Sequence, residues 1–176
     1  TWFDNQVLGE AAAAAAGALY ACGLTPAQIG AGLAAFRPLP HRMQRLGTHN
    51  DVVYINDSKA TSLTALAAAL KMTPEPVRLI AGGRLKEHDL DAVKEVLALR
   101  VKKVYLIGES AHALLAAWSP VVECADCGDM ARAVAQAALE AAPGEAVLLS
   151  PGCASFDQFD GYAQRGDCFA RMVQAL

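Results

Sequence analysis

Seven residues, Asn56-Asp57-Ser58-Lys59-Ala60-Thr61-Ser62, put an acid, an amine and three hydroxyls between the apolar runs VVYI and LTALAAAL. Thr61 or Ser62 can cap a following helix through its hydroxyl. Capping does not call for Lys59. A lysine there faces the positive end of the helix dipole and costs ~0.3 kcal/mol or more unless an anion is present. Two readings follow: an ordinary surface pair of Asp57 with Lys59, or a loop that meets a phosphate or carboxylate. The segment Gly82-Gly83-Arg84-Leu85-Lys86-Glu87-His88-Asp89 has a related character. Paired glycines permit close backbone approach, and Arg84 and Lys86 suit an anion; a solvated loop is the plain alternative. The third unusual stretch, SPGCASFDQF over residues 150–159, offers small residues and the Ser155 hydroxyl. Cys153 within it is a candidate nucleophile, since a thiol at a strand-to-helix turn can be activated by the helix N-terminus. The last glycine of a nucleophile elbow is missing, and a small buried thiol is the favoured reading.

Other motifs carry less. Cys124-Ala-Asp-Cys127 has a redox-like spacing just before a helix, but no second pair completes a zinc site, and a chance pair at a strand end is the simpler account. His88 and His112 read as surface residues. No G-x-G-x-x-G is present, and no G-x-x-x-x-G-K-[ST].

These loops need elements to hold them. An alanine-rich helix is expected from Gly9 to Cys22, stopped by Gly23. A second runs from Pro26 to about Phe36, with Thr25 as its cap. RPLPHR breaks the pattern and marks a domain boundary between residues 1–38 and 39–176. Two strands follow, Met43–Thr48 and Val52–Ile55, joined by a turn at His49-Asn50-Asp51. Then helices and strands alternate: helix Leu63–Lys71, strand Val77–Ala81, helix Leu90–Leu99, strand Val101–Ile107, helix Ala111–Ala117, strand Val121–Cys124, helix Met130–Ala141, strand Ala146–Leu149 and a last helix ending near Leu176. The strands are apolar without alternation, as in sheets covered on both faces. The pattern predicts an α/β fold with an open, mostly parallel sheet, whose ligands bind beyond the strands' carboxyl ends. The three unusual loops all lie there.

Composition sets outer limits. The chain has 176 residues, 54% of them hydrophobic, with net charge −3 and a pI of about 5.8. A basic nucleic-acid footprint is not expected. No apolar run reaches the roughly 18 residues of a membrane span. Five cysteines with no framework spacing suit a reducing compartment. The chain opens on TWFDNQVLGE without an initiator methionine, and a fragment of a longer protein is expected.

Taken together, PHRMQRLG, YINDSKATS, IAGGRLKEHD and LLSPGCASFDQFDGYAQRGDCF resemble the C-terminal part of the Mur ligases, over Gly9 to Leu176. Ser62 stands where the family usually has asparagine, and of the family's asparagine signature before the alanine-rich helix only Asn5 is matched. The resemblance implies a cytoplasmic, ADP-forming ligase that adds D-glutamate to UDP-N-acetylmuramoyl-L-alanine in peptidoglycan synthesis, through an acyl phosphate. It implies that residues 1–38 are the last helices of a central ATP-binding domain and residues 39–176 a Rossmann-like D-glutamate-binding domain. It implies ATP contacts for His41, Arg42 and Asp57, catalytic roles for Lys59 and Arg42, and D-glutamate contacts for Thr61, Lys86, Ser155, Phe156 and Tyr162. ATP and Mg²⁺ would be held mainly by an upstream part, and a monomer is expected. A stand-alone Rossmann-like binding module, a Cys153-dependent hydrolase and a sibling ligase adding another amino acid are the alternatives.

Overall fold

Asn5 opens the first helix. Its side-chain oxygen accepts the Leu8 N–H at 2.9 Å, and α1 runs Gln6–Ala21. Gly23, in a left-handed conformation, follows its end. Thr25 and Gln28 form a reciprocal capping box for α2 (Pro26–Ala35), with proline in the first turn. Within these two helices Ile29 alone is buried among the described side chains. The computed structural model describes residue 3 and residues 5–176. It divides into two compact units, Thr1–Pro38 and Leu39–Leu176.

The second unit is built on six strands: β1 (Gln44–His49), β2 (Val52–Asn56), β3 (Val77–Gly82), β4 (Val101–Ile107), β5 (Glu123–Gly128) and β6 (Ala146–Leu149), in the order β1-β2-β6-β3-β4-β5. β1 and β2 form an antiparallel hairpin, and every other pairing is parallel. Asn50 and Asp51 turn the hairpin with φ of 50° and 59°, the two left-handed residues that a type I′ turn needs. Helices α3 (Leu63–Met72), α4 (Lys94–Arg100) and α5 (Ala111–Trp118) cover one face, packing Leu66, Leu70, Leu97 and Trp118 on Ile55, Leu79 and Leu148. Helices α6 (Met130–Glu140) and α7 (Tyr162–Gln174) cover the other, packing Met130, Val134 and Phe169 on Tyr54, Ile80 and Leu149. With both faces buried, continuous apolar strands are the expected pattern.

Three elements depart most from the sequence expectation, the first being α1, which begins at Gln6 rather than Gly9 because Asn5 caps it. The helix expected over Leu90–Leu99 begins as a 3₁₀ turn, Asp91–Val93, before α4. The strand expected over Val121–Cys124 starts at Glu123, because the Val121 and Val122 amides bond back to Trp118 O and finish the turn after α5. Cys124 and Cys127 therefore both lie within β5, Cys127 one residue from its end and three before α6 begins. Cys124 packs with the α3–α5 core and Cys127 with the α6–α7 core, on opposite faces of the sheet, and both thiols are free.

Candidate functional site

The strand order brings the three loops together. β6 lies between β2 and β3, so the loop after it is flanked by the other two. Backbone bonds knit them. Gly152 N–H donates to Ala60 O at 2.9 Å and Gly82 N–H to Pro151 O at 2.9 Å. Arg84 and Ala154 exchange a pair of bonds at 2.8 and 2.9 Å. That approach requires glycine before it. Gly83 has φ of 126°, and a methyl group on it would lie 2.2 Å from Ala154 O. The β4 loop braces the assembly through Ser110 N–H to Gly83 O at 3.0 Å and Glu109 N–H to the Asp157 carboxylate at 2.8 Å.

In the first loop the surface pair of Asp57 and Lys59 is not formed. Asp57 is 8% exposed, and its carboxylate accepts the Met43 N–H at 3.1 Å and the Ser150 hydroxyl at 3.0 Å. Burial pushes its pKa up to about 6, against those two bonds and the nearby Arg42 charge. Lys59 instead lies over the Tyr162 ring, 3.9 Å from its centroid. Ser62 caps α3, its hydroxyl accepting the Ala65 N–H at 3.2 Å. Thr61 does not cap, and its half-buried hydroxyl has no partner among the described residues. An anion already sits at this helix start: the Glu87 carboxylate accepts the Leu63 N–H at 3.1 Å.

The remaining candidates divide by exposure. Arg42 and Lys86 are exposed, as are Phe156 and Tyr162, while Ser155 is buried at 2%. His41 is fixed in place. Its Nδ1 is 3.1 Å from Asn56 Nδ2, and its Nε2 is 3.6 Å from Asp167. Its carbonyl accepts the Lys59 N–H at 3.0 Å. His41 and Met43 both hold positive φ, 62° and 46°, a strained backbone that the Asp57 and Asn56 bonds stabilise. Cys153 is fully buried, and burial pushes its thiol up to about 12. A fully buried thiol held above its ordinary range is poorly suited to attack as a thiolate, which speaks against the hydrolase alternative.

Sequence reasoning passed over the polar groups beneath the loops. Asn56 is fully buried and donates to Gly166 O at 3.0 Å while accepting the Ser58 N–H. Ser58 and Ser150 are fully buried, and Arg165 is 1% exposed. One signal was available: Arg165 precedes Phe169 by four residues, so it shares the helix face that the apolar pattern buries. Gly166, next to it, admits the His41 ring, because a methyl there would lie 2.3 Å from His41 Nδ1.

The sheet and its loops define a Rossmann-like α/β domain. The Mur ligase, glutamate ligase domain model matches residues 41–153, and the chain belongs to the Mur ligase family. It is 48% identical over 162 residues to the UDP-N-acetylmuramoylalanine–D-glutamate ligase of Dinoroseobacter shibae, covering 92% of this chain and 34% of that relative. It is 41% identical over 144 residues to the enzyme of that name from Nitratidesulfovibrio vulgaris, covering 82% of this chain and 33% of the relative. The chain thus spans about a third of the length of the curated relatives it matches. Among solved structures, E. coli FolC in complex with DHPP and ADP superposes with a TM-score of 0.63 at 23% identity, over 93% of this chain and 38% of that one, a likeness of fold.

Proposed function

We propose that this chain is the amino-acid-binding part of an ATP-dependent ligase that joins D-glutamate to UDP-N-acetylmuramoyl-L-alanine. The observation that carries the reading is the strand order, which seats the Lys59–Thr61 loop, the Ser155–Phe156 loop and the Lys86 loop side by side. Its support is the likeness to relatives named for this reaction. D-Glutamate brings two carboxylates, and cations with hydroxyl donors at one edge of a sheet suit them. Lys86, Thr61 and Ser155 hold those carboxylates, with Phe156 and Tyr162 closing the pocket. Lys59 and Arg42 face the phosphates, and His41 and Asp57 set the linker segment that meets the nucleotide.

In the reaction, ATP phosphorylates the carboxylate of the L-alanine substrate and releases ADP. The D-glutamate amine attacks the acyl phosphate, a C–N bond forms, phosphate leaves and the amine loses its proton. The chain's residues contribute positioning and charge neutralisation. It carries no P-loop sequence, so the nucleotide's main cradle belongs to the upstream part. Mg²⁺ is assigned no ligand in this chain, since no cluster of three acidic, histidine or cysteine side chains suited to a metal occurs among the described residues. Residues 1–38 are read as the closing helices of the ATP-binding domain, with RPLPHR as a hinge. No helix among the described residues is long and apolar enough to cross a membrane. The proposed compartment is the cytoplasm and the proposed state a monomer.

The test is Lys86→Ala in the full-length protein. Loss of one charged hydrogen bond, about 1.5 kcal/mol or more, raises the KM for D-glutamate by about tenfold or more and leaves that for ATP near its original value. An unchanged KM for D-glutamate, or turnover with a different amino acid in its place, would overturn the reading.

A further inference from the structure

Arg165 is buried without a counter-ion. It lies in the first turn of α7, 1% exposed, and none of its hydrogen-bond partners is charged. Nε donates to the Ser58 hydroxyl at 3.0 Å, Nη2 to Ser58 O at 2.9 Å and Nη1 to Cys153 O at 3.1 Å. Asp157 is near enough to favour the charge but forms no ion pair, and its carboxylate is engaged by Glu109 N–H. Burial lowers the guanidinium pKa only to about 10, so the group is cationic at neutral pH.

A lone buried charge is costly, and three bonds to neutral acceptors do not require one. Its location supplies the reason. Ser58 belongs to the loop of Lys59 and Thr61, and Cys153 to the loop of Ser155 and Phe156. A methyl added to Gly83 would come within 3.2 Å of Nη1, so the start of the third loop passes close by without bonding to it. The cation therefore lies beneath all three loops that carry the candidate anion-binding groups.

We propose that Arg165 is a positioning residue for an anionic amino acid: it pins the loops after β2 and β6 to each other, and its buried positive charge lowers the cost of bringing carboxylates to the edge they form. The inference rests on the D-glutamate reading and adds a determinant that does not touch the substrate. It also accounts for the missing counter-ion, since a carboxylate paired with Arg165 would cancel the charge meant for the ligand. Field effects of this kind are strongest where water is excluded.

The experiment compares wild type, Arg165→Lys and Arg165→Gln in the full-length ligase. Steady-state KM values for D-glutamate and ATP are measured well below each variant's melting temperature. Arg165→Gln is expected to raise the D-glutamate KM at least tenfold with the ATP KM changed less than twofold, and Arg165→Lys, which keeps the charge, to restore most of the loss. A Gln variant that melts lower but keeps the wild-type KM for D-glutamate overturns the proposal and leaves a staple of the fold. Equal KM increases in the Lys and Gln variants also overturn it, because charge would not be the determinant. If Arg165→Gln does not fold, Arg165→Lys decides alone: a KM rise under threefold supports the charge, and tenfold or more refutes it. A wild-type enzyme that does not use D-glutamate sinks the functional reading itself, an outcome visible before any variant is compared.

Discussion

At the scale of single residues, Asp57 is a group whose surroundings move its protonation into the mildly acidic range. It is a carboxylate sealed between Met43 N–H and the Ser150 hydroxyl, with a pKa pushed up to about 6 by burial. Relative to an unfolded value of about 3.9, the folded state favours the protonated form. The stability this provides is fully present below about pH 3.9 and is lost as pH rises through about 6. Asp57→Asn keeps the shape and cannot ionise. Its stability should therefore gain on wild type as pH goes from 4 to 7, by up to about 3 kcal/mol, read from urea unfolding at each pH. A difference that does not vary with pH would rule this out. The sequence displayed Asp57 but not its burial, because the groups that cover it come from residue 43 and residue 150. Cys153 is the opposite case: its small neighbours already favoured a buried thiol, and the structure encloses it.

Among the elements, α3 separates capping from binding in two neighbouring hydroxyls. Ser62 accepts the Ala65 N–H and Thr61 accepts none. Ser62→Ala should cost about 1 kcal/mol of unfolding free energy, the usual worth of such a cap. Thr61→Ala should stay within ~0.5 kcal/mol of wild type, as surface changes do, while weakening the use of D-glutamate. Denaturant titrations of both variants check this, and equal destabilisation would mean that Thr61 is part of the helix start. Element types and most limits were legible here because their causes are local: Thr25-Pro26, Gly23 and Asn50-Asp51 each act within a few residues. β5 was misplaced because Val121 and Val122 look like strand residues and are claimed by the turn after Trp118.

For the molecule as a whole, stability is concentrated in one of the two units. The sheet unit places Leu79, Ile80, Val104, Leu148 and Leu149 at no exposure. The helices of the first unit bury Ile29 and expose Leu19 and Tyr20. Native-state hydrogen exchange on this chain should show the slowest amides in β3, β4 and β6, and fast exchange throughout α1 and α2. Equal protection in both units would contradict this distribution of the core. It is also the arrangement expected if the first unit's apolar helices complete their packing against chain supplied from upstream in the longer protein.

What the sequence by itself determined is whatever depends on near neighbours: the alternation of strand and helix, β4 and β6 residue for residue, the Thr25 cap, and three chemically unusual loops at strand ends. Only the tertiary structure decided that β6 runs between β2 and β3, and so that those loops share one edge. It alone buried Asp57, turned Cys124 and Cys127 to opposite faces, and set Arg165 beneath Ser58, 107 positions away. Strand order is a choice among arrangements that bury nearly the same apolar surface. It is made by contacts between residues far apart in the chain, and no local pattern records it.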